Sequence, residues 1–483
     1  MINNKINGIS VFALVMLISG AVDSIRNLPA TALFGTSLIF FFVFSAIVFL
    51  IPAALVSAEL ASSSSEKSGI FYWACEAFGE KIGFLAIWLQ WISNLVWFPT
   101  ILSFIAGTAT YFLSPDLAQN KTYLVSVILG TFWLLTLINL KGVTVSAKFT
   151  SFCTIIGLVI PMSLIIVLAA IWVFQGHPLQ IHFTAANLIP KLTDSQNWIS
   201  LTAIMTAFLG IELSTVHVKD VANPQKAYPK ALFYSVSLIL TTMILGSLAI
   251  AAVLPKNQIN LVDGVLQAFG NFFAAYHISW IMPIIAILII VGTAGGTISW
   301  VISPARGLLQ AAQHDYLPAF LKKENKHGVA SHLLITQAVL VSLFCLAFLL
   351  MPSVNGSYWL LTALSTQMYI WMYIMMFIIG LVMRSKHPNL KRSFQIPGGK
   401  KGLWMVCLLG LFGCGITEVV GFIPPDGINV GSVFHYEMIF IAGMAVMILP
   451  VLACYAYKNK KTAKKKMVGS TIMKYQTTAE TGS

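Results

Sequence analysis

An all-α membrane protein with about twelve transmembrane helices is the fold class this sequence predicts, on three observations. Of 483 residues, 58% are hydrophobic and 9% charged, with a mean hydropathy of +0.84, whereas about a quarter of the residues in soluble domains are charged. The apolar runs are mostly about 20 residues or longer, enough to cross a hydrocarbon core of roughly 30 Å at about 1.5 Å per helical residue. The cations fall almost wholly between alternate runs.

In chain order the runs are 9–34, 36–60, 83–113, 121–140, 147–174, 198–218, 230–254, 276–303, 331–351, 358–383, 402–423 and 435–457. The first is expected to be a retained span and not a cleavable signal, because it lacks a basic leader beyond Lys5 and no small-residue cleavage site follows. With Lys5 in the cytoplasm, 25 of the 29 lysines and arginines share its side; Lys121, Lys191 and Lys256 lie opposite, and Arg26 sits inside a span. So strong a bias is what the positive-inside rule expects of a correct topology, with both termini cytoplasmic. It also accounts for the net charge of +13 without a nucleic-acid partner. Residues 1–483 read as one membrane domain ending in a basic cytoplasmic tail, 458–483. There Lys458, Lys460, Lys461, Lys464, Lys465 and Lys466 favour anionic lipid headgroups, by about 1 kcal/mol per cation near the surface.

Two runs are broken by polar residues. The first is interrupted from Gly20 to Pro29, with Asp23, Arg26 and Asn27 inside the break, and the sixth at Gly210-Ile211-Glu212. A charge at a span centre costs on the order of 2.5–3.5 kcal/mol on insertion scales, so residues of this kind are a functional site by default. Grouping 9–174 and 198–383 as two five-span units puts a broken helix first in each. The odd number of spans inverts the second unit relative to the first, an inverted repeat whose discontinuous helices meet near the midplane. The spans in 402–457 stand outside the repeat.

A helix broken in lipid frees backbone groups that only protein or a wet cavity can satisfy. Amides at Ala21 to Ser24 are expected to face an anion and carbonyls near Leu209 to Ile211 an ammonium. An α-amino acid carries both groups on one carbon. The candidate binding residues are therefore Gly20, Ala21, Val22, Asp23, Ser24, Arg26, Asn27, Leu209, Gly210, Ile211 and Glu212, with Trp300 as a stacking candidate. Glu212 and Asp23 are the candidates for coupling to protons. Asp23 and Arg26, three apart, either pair locally or leave Arg26 to hold a substrate carboxylate.

Several segments carry a family resemblance. Phe208-Leu209-Gly210-Ile211-Glu212, Asn223-Pro224-Gln225-Lys226-Ala227-Tyr228-Pro229-Lys230-Ala231 and Ser299-Trp300-Val301-Ile302-Ser303-Pro304-Ala305-Arg306-Gly307 resemble the amino acid-polyamine-organocation superfamily. Residues 253–261 (VLPKNQINL), 386–400 (KHPNLKRSFQIPGGK) and 422–426 (FIPPD) resemble its bacterial glutamate/γ-aminobutyrate antiporter branch. The resemblance implies an inner-membrane amino-acid antiporter working by alternating access, with the two broken helices forming the site. It also implies an association with acid resistance, in which an acidic amino acid enters and its decarboxylated product leaves. Two departures stand out: only about 26 residues follow the last run where that branch has a longer plug, and 292–297 reads GTAGGT where an acid is expected.

Other chemistry finds little support. The six cysteines are scattered singly without CxxC spacing and read as packing residues, and His177, His182 and His217 lack ligand spacing, so neither metal nor cofactor is expected. Glu59, Glu418 and Glu437 read as capping or interfacial residues, and the run Gly292 to Gly296 as a close helix contact. An intramembrane enzyme would need a GxGD or HExxH setting, and neither is present. A channel, a nutrient sensor on the same scaffold, or a proton-coupled importer are the alternative readings.

Overall fold

The computed structural model describes residues 10–63, 69–142, 147–190, 193, 195–214 and 223–480. Lys5, Lys67, Lys191, Lys219 and His217 lie outside the described residues, as do the side chains of Ala21, Lys148 and the tail from Lys464 onward. All the regular elements described are helical apart from one isolated bridge between Glu324 and Ala330.

Among the described residues ten helices are long and apolar enough to cross a membrane: Gly35–Ser63, Glu80–Phe112, Lys121–Leu140, Phe152–Phe174, Pro224–Val253, Ser279–Gln313, Ser331–Leu350, Val354–Lys386, Gly399–Val420 and Val433–Ala463. These are the second to fifth and seventh to twelfth spans. The first consists of Val11–Val22, a 3-10 turn at Ile25–Asn27 and Leu28–Ala32, its pieces bent by 41°. In the sixth the described residues form Ser200–Phe208 and Ile211–Ser214, parted at Leu209 and Gly210. The chain is thus an all-α, multi-pass membrane protein with helix breaks in the two runs where the sequence placed them.

The boundaries differ from the hydropathy reading mainly where a helix outlasts its apolar run. The eighth span continues ten residues beyond 303, through Arg306, Gln310 and Gln313, since polar residues outside the hydrocarbon remain good helix formers. For the same reason the tail forms a continuous helix with the twelfth span, Val433–Glu480. Hydropathy also passed over two shorter helices. Ile70–Phe78 lies between the second and third spans, bracketed by Gly69 and Gly79 at φ +119° and +89°; Gly264–Ala275 lies between the seventh and eighth.

The third and tenth spans pack along one another at the centre, and the eighth lies against the third. The lower piece of the first span packs on the seventh span and on Ile211–Ser214, while its upper pieces meet Ser200–Phe208. Glycine permits the tightest approach: the backbones of Gly157 and Gly292 touch, and a methyl group at either would collide with the other. Gly157 lies in a π-helical turn of the fifth span, Ile155–Val159. Such turns place an extra residue in a helix and are frequent beside functional sites.

Candidate functional site

The first helix stops at Val22 because Asp23 and Ser24 are extended, with ψ of 131° and 121°. The Asp23 amide still closes the helix by donating to the Ser19 carbonyl at 2.8 Å. Amides freed by the break therefore belong to the piece that restarts at Ile25; Ala21 and Val22 lie in the preceding helix, at its carbonyl end. This corrects the expectation that the amides of Ala21, Val22 and Asp23 face an anion; the Ser24 amide lies in the break and bonds the Asp23 carboxyl. In the sixth span Leu209 is extended and Gly210 has φ +93°, a conformation that disfavours side chains, so the last carbonyls of Ser200–Phe208 lose their helical partners.

Both breaks open on one cavity of about 190 Å³, well above the roughly 10–15 Å³ that admits a water. The first span contributes Gly20, Val22, Asp23, Ser24, Ile25, Arg26 and Asn27, and the sixth Thr206, Ala207 and Leu209. The opposite walls come from Ser93, Asn94, Trp97 and Ile101 of the third span, Cys153, Thr154, Gly157 and Leu158 of the fifth, and Gly292, Thr293, Gly296, Thr297 and Trp300 of the eighth. Ser365 and Tyr369 of the tenth complete it.

Asp23 and Arg26 share the cavity without pairing. Oδ2 of Asp23 accepts from the Thr242 hydroxyl at 2.7 Å, and Oδ1 is buried with no protein partner. Arg26 is 3% exposed; its Nη1 donates to Thr100 Oγ1 at 2.9 Å and to the Tyr358 hydroxyl at 3.2 Å, and its Nε is buried with no protein partner. Its guanidinium lies 5.3 Å from the Trp97 ring, which packs in turn on Trp300 at 5.6 Å. Each of the two charged residues that line the cavity thus keeps a buried polar atom without a protein partner.

Glu212 stands behind the cavity wall. Its Oε1 accepts from Tyr369 at 2.6 Å and from Gln90 Nε2 at 2.8 Å, and its Oε2 accepts from Tyr373. The Tyr373 hydroxyl also accepts from the Gly210 amide at 3.0 Å. Glu212 therefore ties the sixth-span break to the third and tenth spans and fixes Tyr369, which does line the cavity. Gly210 and Ile211 are buried beside it and are not among the lining residues.

Sequence reasoning missed the walls. Ser93, Asn94, Trp97, Thr100 and Ile101 follow the three-four spacing of one helix face, as do Tyr358, Ser365, Tyr369 and Tyr373. Each polar stripe within an otherwise apolar span was a readable signal. Among the described residues, no three His, Cys, Asp or Glu side chains come together as a metal site.

A multi-pass helical protein whose two broken spans enclose a small cavity with one acid and one cation in its wall has the construction of a secondary transporter. The amino acid permease family profile matches residues 9–445, and the chain belongs to that family, within the amino acid-polyamine-organocation superfamily. It is similar to an uncharacterised transporter of Legionella pneumophila, with 41% identity over 92% of this chain and 96% of the relative. It is also similar to the glutamate/γ-aminobutyrate antiporter of Lactococcus lactis subsp. lactis, at 30% identity over 94% of this chain and 91% of that protein. A probable agmatine/putrescine antiporter of the same subspecies is 21% identical over 80% of the chain. The protein is an amino-acid transporter and not an enzyme.

Proposed function

We propose that the protein is an antiporter that exchanges glutamate-like amino acids across the bacterial inner membrane by alternating access, with both termini cytoplasmic. The observation that carries this reading is the shared cavity: two helix breaks meet there, and its two charged lining residues, Asp23 and Arg26, each keep one buried polar atom, Oδ1 and Nε, without a protein partner. A buried polar group without a partner costs about 1–3 kcal/mol, so a ligand that supplies both an ammonium and a carboxylate is favoured. The spans 9–174 and 198–383 act as inverted repeats around this site, and those in 402–457 buttress it. Its binding residues are Gly20 to Ser24, Arg26, Asn27, Leu209 and Trp300, with Gly210, Ile211 and Glu212 shaping the sixth-span break. Glu212 transmits occupancy through Tyr369 and is a proton-coupling candidate beside Asp23. Similarity to the glutamate/γ-aminobutyrate antiporter supports exchange and an acidic substrate.

Counterflow into proteoliposomes tests the reading. Uptake of labelled glutamate is expected only when the vesicles contain an amino acid. Flux indifferent to the inner solution would establish a channel, binding without flux a sensor, and uptake into empty vesicles driven by a proton gradient an importer.

A further inference from the structure

Asp23 and Arg26 are the only charged side chains among the described residues lining the cavity. Around them stand neutral groups: Thr242 from the seventh span, Asn94 and Trp97 from the third, Cys153 and Thr154 from the fifth, Thr293 and Thr297 from the eighth, and Tyr369 from the tenth. Glu212 is separated from the cavity by Tyr369. The fixed charges therefore cancel, and a zwitterion leaves the occupied site neutral. A second carboxylate on the substrate adds one uncompensated negative charge in a desolvated space, which is costly.

We propose that Asp23 is the residue that matches the site to substrate charge: it is ionised over a zwitterion and takes up one proton when the substrate brings an additional carboxylate. The inference rests on the exchange reading above and specifies how it discriminates between substrates. The geometry supports it because the two carboxyl oxygens have different surroundings. Oδ2 is fixed by Thr242, whereas Oδ1 is buried, unpartnered and part of a cavity-lining residue. As a carboxylate oxygen, Oδ1 accepts from a substrate ammonium; as Oδ1–H, it donates to a substrate carboxylate. Arg26 cannot make this adjustment, since a guanidinium stays protonated.

The proton balance follows. Asp23 takes one proton from the side where the acidic substrate enters, and the proton and substrate leave on the other side. Return with a zwitterion leaves Asp23 ionised, so each exchange of an acidic for a zwitterionic amino acid moves one proton with the acidic one.

The test uses full-length protein in liposomes, with glutamate self-exchange followed at pH 5 and pH 7 and unlabelled glutamine as a competitor of equal shape without the second charge. For the parent protein, glutamate exchange is expected to fall about tenfold between the two pH values. In Asp23→Asn it should vary less than about twofold, while glutamine competes about tenfold less well for want of the anionic acceptor. Because the Asp23→Asn substitution could stall transport without affecting binding, quenching of Trp97 and Trp300 fluorescence by each amino acid in detergent gives a second reading of the same two affinities. A parent slope retained in Asp23→Asn would overturn the proposal and place the proton on the substrate, whose own side chain titrates near 4.3. So would a parent protein whose glutamate exchange and glutamate binding are both independent of pH, or one that binds glutamine and never glutamate. Absence of counterflow with any amino acid in the parent protein would instead remove the exchange reading on which the inference rests.

Discussion

Arg26 shows how a side chain can be buried and still keep a polar atom without a protein partner. Thr100 and Tyr358 hold Nη1, Trp97 stacks beneath the guanidinium, and Nε remains free. Lysine would keep the charge but lose the planar fork that serves several partners at once. Arg26→Lys is therefore expected to raise the half-saturation for glutamate about tenfold, near 1.4 kcal/mol, and to lower the melting temperature somewhat through the lost bonds to Thr100 and Tyr358; unaltered half-saturation would remove Arg26 from the substrate's contacts. One buried acid lies outside the membrane-spanning segments. Asp263 begins the helix Gly264–Ala275, is 2% exposed, and has one oxygen bonded to Tyr111 at 3.2 Å and the other unpartnered. Burial pushes its carboxyl up to about 7 from an ordinary 3.8. The folded state then holds a proton that the unfolded state releases, so the stability Asp263 contributes is intact below pH 4 and lost as pH rises to about 7. Asp263→Asn should flatten that loss, matching the parent near pH 4 and melting several degrees higher at pH 8, since each tenfold difference in proton affinity between the folded and unfolded states is worth about 1.4 kcal/mol. Thermal scans across pH 4–8 in detergent give the comparison.

At the scale of elements, small residues set how closely helices approach and how much room the cavity keeps. Gly292 touches the Gly157 backbone, so an added methyl must push the fifth and eighth spans apart; at Gly296 an added methyl meets open space in the cavity. The two alanine substitutions are thus expected to separate. Gly292→Ala should cost about 1–3 kcal/mol through overpacking and lower the melting temperature. Gly296→Ala should leave melting unchanged and weaken substrate binding severalfold by occupying the site. Equal melting curves for the two variants would contradict the close contact. These features were unequally legible. The spans were read from hydropathy because lipid imposes length and apolarity on each helix independently, and the breaks because Asp23, Arg26 and Glu212 are conspicuous in apolar runs. The division of labour among those three was not legible. Whether Asp23 meets Arg26 or Thr242, and whether Glu212 faces the cavity or Tyr369, depends on which helices lie opposite, and spacing along one chain does not encode that. The stripes holding Trp97 and Tyr369 were present in the sequence, but with no acid among their cavity-lining residues they gave no energetic anomaly to attract notice.

For the whole molecule, the exchange proposed above would need the spans around the cavity to move as bodies, and one end of the bundle carries a strap that joins several of them. Glu59, at the end of the second span, is 4% exposed and accepts from Arg384 Nε and Nη2, both at 2.7 Å, and from the Ile396 amide at 2.8 Å. Arg392 lies 3.7 Å away. The segment after the tenth span is thereby held against the second: the Ser62 hydroxyl donates to the Phe394 carbonyl at 2.9 Å. The seventh span joins through paired bonds between Gln225 and Gln395, both 2.8 Å, and through Tyr228, whose ring lies 5.1 Å from that of Phe394. Second, seventh and tenth spans are thus fastened together around one buried carboxylate, and under the proposed exchange the strap would constrain which of them can separate. Replacing the carboxylate leaves two cations largely buried without their partner, a loss of about 3–5 kcal/mol for a broken buried pair. Glu59→Gln should accordingly lower the melting temperature markedly, whereas Gln225→Ala, which removes two exposed hydrogen bonds, should barely change it. Both should accelerate exchange of the segment's backbone amides with deuterium, and only Glu59→Gln should expose the Ile396 amide fully. If hydrogen exchange at residues 392–397 is the same in Glu59→Gln as in the parent protein, the segment is held by its apolar contacts alone, and the tenth span is free to move without the second and seventh.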